Sequence, residues 1–338
     1  MKNTLTTSLI CLLLVCAANV YAQQTERDKG IALYKQGNDA GAIQILKTAS
    51  KQKETKNDGE VWNFLGMAYL NQNKTKDARK ALEKAVKLSP QSSVFHSNLA
   101  YAYLMERKTN KAQDEIGKAI GLDAQNANAY FIRGTAYLWE GKYETAIADA
   151  DRAISVNPQF TSAYVLKSDG LLYSFGKLWR EDAKPVGNLE LLAQAMQVLE
   201  NCLQMCPKDD GLKLTAERMD TVKAFYDHFK KKKDNADGQA IASVGSAADN
   251  KTPLKISAKP RANYTDSARR AGIQGTIILA VVLSSDAKIK HIIVLKGLGY
   301  GLDQQALNAA RNIVFEPETE NGKPISVVKM IQYSFTIY

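Results

Sequence analysis

A chain of 338 residues, 45% hydrophobic and 24% charged, is long enough for two or three domains with real cores, and this composition excludes wholesale disorder. Its 45 Lys and Arg against 35 Asp and Glu give a formal net charge of +10, but the excess is dispersed along the chain. The dense basic run Lys230–Lys233 has no interleaved aromatics. It reads as a solvated helix end, which argues against nucleic acid as a partner.

Residues 1–22 have the form of a secretory signal. Lys2 precedes the apolar stretch Leu9–Ala18, and Val20-Tyr21-Ala22 offers a cleavage site before Gln23. The stretch is about half as long as a membrane-spanning helix, so cleavage and export are expected, with an uncleaved inner-membrane anchor as the alternative. Val15 is too large for a good lipoprotein signal at Cys16. Cys202 and Cys206 remain, one helical turn apart. On a regular helix that spacing is badly oriented for a disulfide, and the pair reads as two small buried hydrophobes.

From position 24 to 210 the chain repeats. Trp62, Leu65-Gly66, Tyr69, Ala78, Leu82, Ala85 and Pro90 recur 34 positions later as His96, Leu99-Ala100, Tyr103, Ala112, Ile116, Ala119 and Ala124. They recur again as Tyr130, Arg133-Gly134, Tyr137, Ala146, Ala150, Ala153 and Pro158. The period and residue types resemble the tetratricopeptide repeat, in which each copy is a helix pair. A weaker copy holds Gly30, Gly37, Ala42, Leu46 and Ala49. A fifth starts with Tyr164 and Leu171, is interrupted by an insertion at 175–188 carrying Trp179 and Pro185, and resumes at Leu192, Ala195 and Leu199. About five helix pairs are therefore expected, followed by a capping helix over 211–233. The resemblance implies a concave groove that holds peptides. Asn63, Met67, Asn98, Tyr101, Phe131 and Thr135, beside the repeat tyrosines on the first helix of each pair, are its candidate residues, against a plain solvated face as the other reading.

Positions 234–252 shift to Gly, Ala, Ser, Asn and Asp and read as a flexible linker reaching roughly 60 Å when extended. A domain over 253–338 follows. Thr265 caps a short helix that stops at Gly272. Thr276–Leu283 is apolar on both faces and reads as a buried central strand. Lys288–Leu295 is its hairpin partner, with an αR turn at Asp286-Ala287. Leu302, Ala306, Ala309, Ala310 and Ile313 mark a helix, ended by Pro317 and Asn321-Gly322. Pro324–Tyr338 alternates as a terminal strand. This order, with Tyr264, Ala268-Arg269, Gln274-Gly275, Phe315-Glu316-Pro317 and Gly322-Lys323-Pro324, resembles the C-terminal domain of the TonB energy-transducer family. Thr265 stands where the family usually has Pro, and Asp286-Ala287 where it usually has Asp-Gly. The fold class expected is an all-α TPR-like solenoid followed by a small α+β domain, two helices on a three-stranded antiparallel sheet.

Chemistry is sparse. No phosphate loop or nucleophile elbow is present, Gly297-Leu298-Gly299-Tyr300-Gly301 lacks dinucleotide-site spacing, and His96, His228 and His291 are scattered. The chain reads as a non-enzyme without cofactor or metal. The TonB resemblance implies a Gram-negative periplasm and a partner strand added to the terminal sheet edge, through Val327, Lys329, Ile331, Gln332, Tyr333 and Phe335. The expected partner is a TonB-dependent outer-membrane receptor or another envelope protein, with membrane association through that partner. The alternative is an envelope scaffold whose repeats bind the partner, the C-terminal edge serving only to form a homodimer.

Overall fold

The computed structural model describes residues 25–182, 188–208, 210–239 and 250–337. The expected signal and positions 183–187 and 240–249 of the expected insertion and linker lie outside them. Thirteen helices and eight strands are described, and the chain divides into two compact units, Met1–Ala102 and Tyr103–Tyr338.

The first unit holds α1 (Glu26–Lys35), α2 (Asp39–Ala49), α3 (Gly59–Asn71), α4 (Thr75–Leu88) and the start of α5 (Ser93–Met105). Thr25, Asn38 and Asp58 cap the first three through side chains that accept from Asp28, Gly41 and Glu60 N–H groups. Helix pairs close because small residues meet large ones. A Cβ on Gly66 would lie 2.5 Å from Leu82 Cγ, and one on Gly30 2.6 Å from that of Leu46. The Trp62 indole donates to the Lys56 carbonyl at 2.8 Å, and His96 Nε2 lies 2.9 Å from Pro90 O. The repeat's aromatic position thus locks the turn that precedes its own helix.

The second unit repeats these devices in α6 (Thr109–Leu122), α7 (Ala127–Trp139), α8 (Tyr143–Val156) and α9 (Thr161–Asp182). Tyr130 and Tyr164 hydroxyls donate to Ala124 and Pro158 carbonyls at 3.3 and 3.1 Å. Ala112 and Ala146 are fully enclosed, as their place in the repeat demands. Asp149 lies close to Asp151 in sequence, yet it is not a solvated face residue. It is buried, and Arg133 grips it with two hydrogen bonds of 2.8 and 2.7 Å, which also raise the guanidinium's pKa.

Beyond α8 the pattern stretches. Helix α9 runs for 22 residues and carries the first part of the expected insertion, Phe175 to Asp182, as further helical turns. Helix α10 (Leu189–Met205) follows, and then α11 (Asp210–Gln239), which continues through 234–239, where a linker is expected. Cys206 is the C-cap of α10 with ψ 158, so the two cysteines do not share a regular helix. Both are free and buried, and burial together with the Cys206 thiol pushes Cys202 up to about 12.

The C-terminal region comprises β1 (Lys251–Thr252), β2 (Lys255–Ala258), α12 (Asp266–Arg270), β3 (Gly275–Leu283), β4 (Ile289–Lys296), α13 (Leu302–Ala310), β5 (Val314–Glu316), β6 (Thr319–Glu320), β7 (Lys323–Pro324) and β8 (Val327–Phe335). The main sheet is antiparallel in the order β4-β3-β8 and carries α12 and α13 on one face. Two small sheets, β2-β5 and β1-β6-β7, flank it and have no counterpart in the sequence reading. Thr265 caps α12 by accepting from Ala268 N–H, and Gly272 stops it at φ 63. Helix α13 ends at Ala310, short of Ile313, which lies in the turn before β5. Asn321 and Gly322, with φ of 51 and 74, make the β6–β7 hairpin turn. Ala287 sits at φ 59, a left-handed turn residue rather than the αR one expected.

Candidate interaction surfaces

Strand β3 is apolar on both faces because two different bodies cover it. Ile277, Leu279, Val281 and Leu283 face α12 and α13 with Ile331, Tyr333 and Phe335 of β8. Ile278 and Ala280 point the other way and join Ile293 and Leu295 of β4 in one core with Leu171, Leu172, Phe175, Trp179 and Phe229. The sheet is therefore docked on α9 and α11, not free to search a volume around the repeats.

The docking is tight at three glycines. A Cβ on Gly176 would lie 2.6 Å from both Cβ and O of Leu295, one on Gly299 2.6 Å from the Trp139 ring, and one on Gly297 2.2 Å from the Tyr173 hydroxyl. Gly299 also needs its φ of 70. The glycine-rich loop 297–301 thus seats the domain. Tyr300 stacks on Trp139 with ring centroids 4.7 Å apart and donates to the Leu104 carbonyl at 2.9 Å. Arg180 reaches the Leu295 carbonyl at 3.5 Å.

The opposite edge of the sheet is different. All nine residues of β8 pair with β3, from Val327↔Leu283 to Phe335↔Gly275, and among the described residues no strand pairs with its outer side. Lys259 Nζ donates to the Gln332 carbonyl at 2.8 Å from outside the sheet and lies 5.0 Å from the Tyr333 ring centroid. In an antiparallel strand the N–H and C=O of one residue point to the same side. Val328, Met330, Gln332 and Ser334 therefore turn their backbone groups outward, while Lys329, Ile331, Tyr333 and Phe335 bond to β3. Val327, Ile331, Tyr333 and Phe335 have buried side chains and cannot offer them to a partner. Lys329 is exposed and pairs with Glu318 at 3.5 Å. Of the six edge candidates, Gln332 alone presents both an exposed side chain and outward backbone groups.

The groove candidates scatter. Asn63 and Asn98 are buried and joined by a hydrogen bond of 2.8 Å, which ties neighbouring first helices together. Met67 and Tyr101 are half-buried. Phe131 packs on Phe160 at 5.3 Å, and Thr135 donates to the Phe131 carbonyl. These last two line a cavity of about 650 Å³ between the repeats and the sheet, with β4 and α13 on its far wall. Sequence reasoning missed Asp169, Tyr173, Arg218 and Asp303 there. The one available signal was an acidic residue at the start of a helix after a glycine-rich loop.

Residues 260–337 match the family described as Gram-negative bacterial TonB protein C-terminal, and residues 59–92 and 127–160 each match the tetratricopeptide repeat. The chain carries TPR repeats followed by a TonB C-terminal domain. Both are protein-interaction domains without catalysis of their own, and the second occurs in Gram-negative envelope proteins. Among solved structures, MamA is 25% identical over 52% of this chain and 96% of its own, with a TM-score of 0.39. The Arabidopsis OM64 TPR domain is 28% identical over 33% of this chain and 93% of its own, with a TM-score of 0.31. A thermophilic TPR protein of Thermus thermophilus is 18% identical over 59% of this chain and 97% of its own, with a TM-score of 0.47. No curated protein matches the chain. Among the described residues no helix is long and apolar enough to cross a membrane, and no cluster of side chains could hold a metal ion.

Proposed function

We propose that this protein is a periplasmic, non-enzymatic adaptor that receives an extended segment of an envelope protein, such as a TonB-dependent outer-membrane receptor, by strand addition along β8. The observation that carries this reading is the open outer side of a nine-residue strand. Its outward N–H and C=O groups lack a ladder, and a partner strand supplies one. Export follows from the signal-like residues 1–22, and the repeats make a platform that fixes the sheet in place.

The test is a pull-down from envelope extract with the intact chain and the Gln332→Pro variant beside Gln332→Ala. Proline removes an outward N–H and leaves the β3 ladder intact. Loss of the partner in the proline variant alone is the expected result. Equal capture by both variants sinks strand addition. A dimer of the purified chain that dissociates in Gln332→Pro, with no partner captured, favours self-pairing instead. Sequencing of protein from the native host should begin at Gln23, and intact Met1 in the membrane fraction would restore an anchored, energy-transducing role.

A further inference from the structure

The cavity between the repeats and the C-terminal domain has the build of a ligand site separate from the β8 edge. Its volume is about 650 Å³, within the range of small-molecule pockets. Phe131, Trp139, Val165, Leu172, Ile293 and Leu307 supply apolar walls. Its polar groups converge from three elements. Asp169 of α9 is paired with Arg218 of α11. Asp303 of α13 accepts from Leu298 N–H at 2.8 Å and Gly299 N–H at 3.2 Å, and has no cationic partner among the described residues. Tyr173 of α9 lines the cavity, is 6% exposed, and its hydroxyl has no hydrogen-bond partner among the described residues. That hydroxyl lies beside Gly297, and Asp303 approaches the same glycine. Three carboxylates, Asp169, Glu217 and Asp303, thus line the cavity with two guanidiniums, Arg218 against Asp169 and Arg311, which leaves one negative charge in excess.

We propose that this cavity binds a ligand with an apolar chain ending in a primary amine or a guanidinium, the cation resting between Asp303 and the Tyr173 hydroxyl. Each group then gains what it lacks. Asp303 gains a countercharge, and Tyr173 gains a donor for its oxygen. Burial raises the pKa of both Asp303 and Tyr173, and a cation nearby would oppose that shift. Two sources share this chemistry, a free amine and a lysine or arginine side chain of a peptide.

The test is calorimetric titration of the full chain with n-hexylamine, with 1-hexanol as its neutral counterpart, and with the peptide acetyl-Leu-Lys-Leu-amide. At neutral pH hexylamine should bind at least tenfold more tightly than hexanol, and Asp303→Asn should erase that difference. Val165→Trp fills the cavity from α9 without touching a carboxylate and should abolish binding of both. Circular dichroism and melting show whether each variant is folded, and Thr135→Trp fills the cavity from α7 if Val165→Trp is not. Tighter binding of the peptide than of hexylamine supports the site and assigns it to a basic side chain, and the reverse order supports it for a free amine. Hexanol binding as tightly as hexylamine, or amine binding that survives a folded cavity-filling variant, overturns the proposal. Neither result depends on β8, so the site and the strand-addition reading fail separately.

Discussion

Strands β4 and β8 flank the same central strand, yet they meet different surroundings. Among the described residues both leave an outer side without a ladder. Leu295 and Ile293 of β4 are sealed against α9, and Arg180, extending from that helix, takes the Leu295 carbonyl. On the outer side of β8, among the described residues, Lys259 reaches a carbonyl from an exposed position. Covering one edge with a helix and marking the other with a charged side chain are two known ways to keep sheet edges from random pairing. The first is permanent. The second can be displaced, and that is why strand addition is proposed at β8.

The sharpest way to break the comparison is to change parity within β8. Tyr333→Pro removes an inward ladder bond together with a buried aromatic. It should cost more than Tyr333→Ala, itself about 3–5 kcal/mol, and unfold the C-terminal domain. Gln332→Pro should melt close to Gln332→Ala. If the proline at Gln332 is the one that unfolds the domain, the outward and inward residues have been assigned the wrong way round.

The β4 side is tested at Gly176. A leucine there would drive a Cβ into the Leu295 backbone, and rigid partners make the cost about 3 kcal/mol. The expected outcome is a lowered melting temperature and new protease cutting between the repeats and the sheet. Gly117 of α6 has nothing within 4 Å of its would-be Cβ, so Gly117→Ala should stabilise by up to about 1 kcal/mol through helix propensity. If the sheet were merely tethered, Gly176→Leu would be nearly as harmless as Gly117→Ala.

How much of this was legible beforehand depends on whether the cause was local. The repeat could be read because Gly66, Ala78 and Ala112 recur wherever helices cross, and the terminal sheet because β8 alternates at period two. Thr276–Leu283 announced burial on both faces, but not what covered the second one. The covering residues, Phe175, Gly176 and Trp179, stand where the repeat pattern breaks off, so they looked like an insertion. The role of the 297–301 glycines was hidden because their need for close approach to Trp139 and Tyr173 is set by residues more than a hundred positions away. The cavity was invisible for the same reason: Asp169, Arg218 and Asp303 belong to three separate elements. Local errors were smaller. Ala287 was expected in αR, but the two-strand hairpin needs a left-handed residue there.

That hairpin turn gives a smaller test on the β4 side. A non-glycine residue at φ 59 carries a steric cost of about 1–2 kcal/mol, partly offset because glycine loses more freedom on folding. Ala287→Gly should therefore raise stability by about 1 kcal/mol or slightly less, seen as a higher denaturation midpoint at unchanged slope. A lowered midpoint would mean that the turn tolerates its alanine without strain.

The smallest expected change in stability falls at Lys259, and it probes the open edge most directly. Its ammonium makes one exposed hydrogen bond and one contact with an aromatic face, so Lys259→Met should alter folding by no more than about half a kcal/mol. Its effect on association should be larger. The lysine places a charge and an occupied carbonyl in the path of any incoming strand, and methionine removes both while keeping the length of the side chain. Sedimentation at increasing concentration should show Lys259→Met associating at lower concentration than the parent, and Lys259→Met/Gln332→Pro returning to the parent's behaviour. Arg180→Met provides the contrast at β4: the helix still covers that edge, so no association should follow. Should both methionine variants associate alike, or neither, the two edges are equally protected and the distinction between a covered and a displaceable guard does not hold.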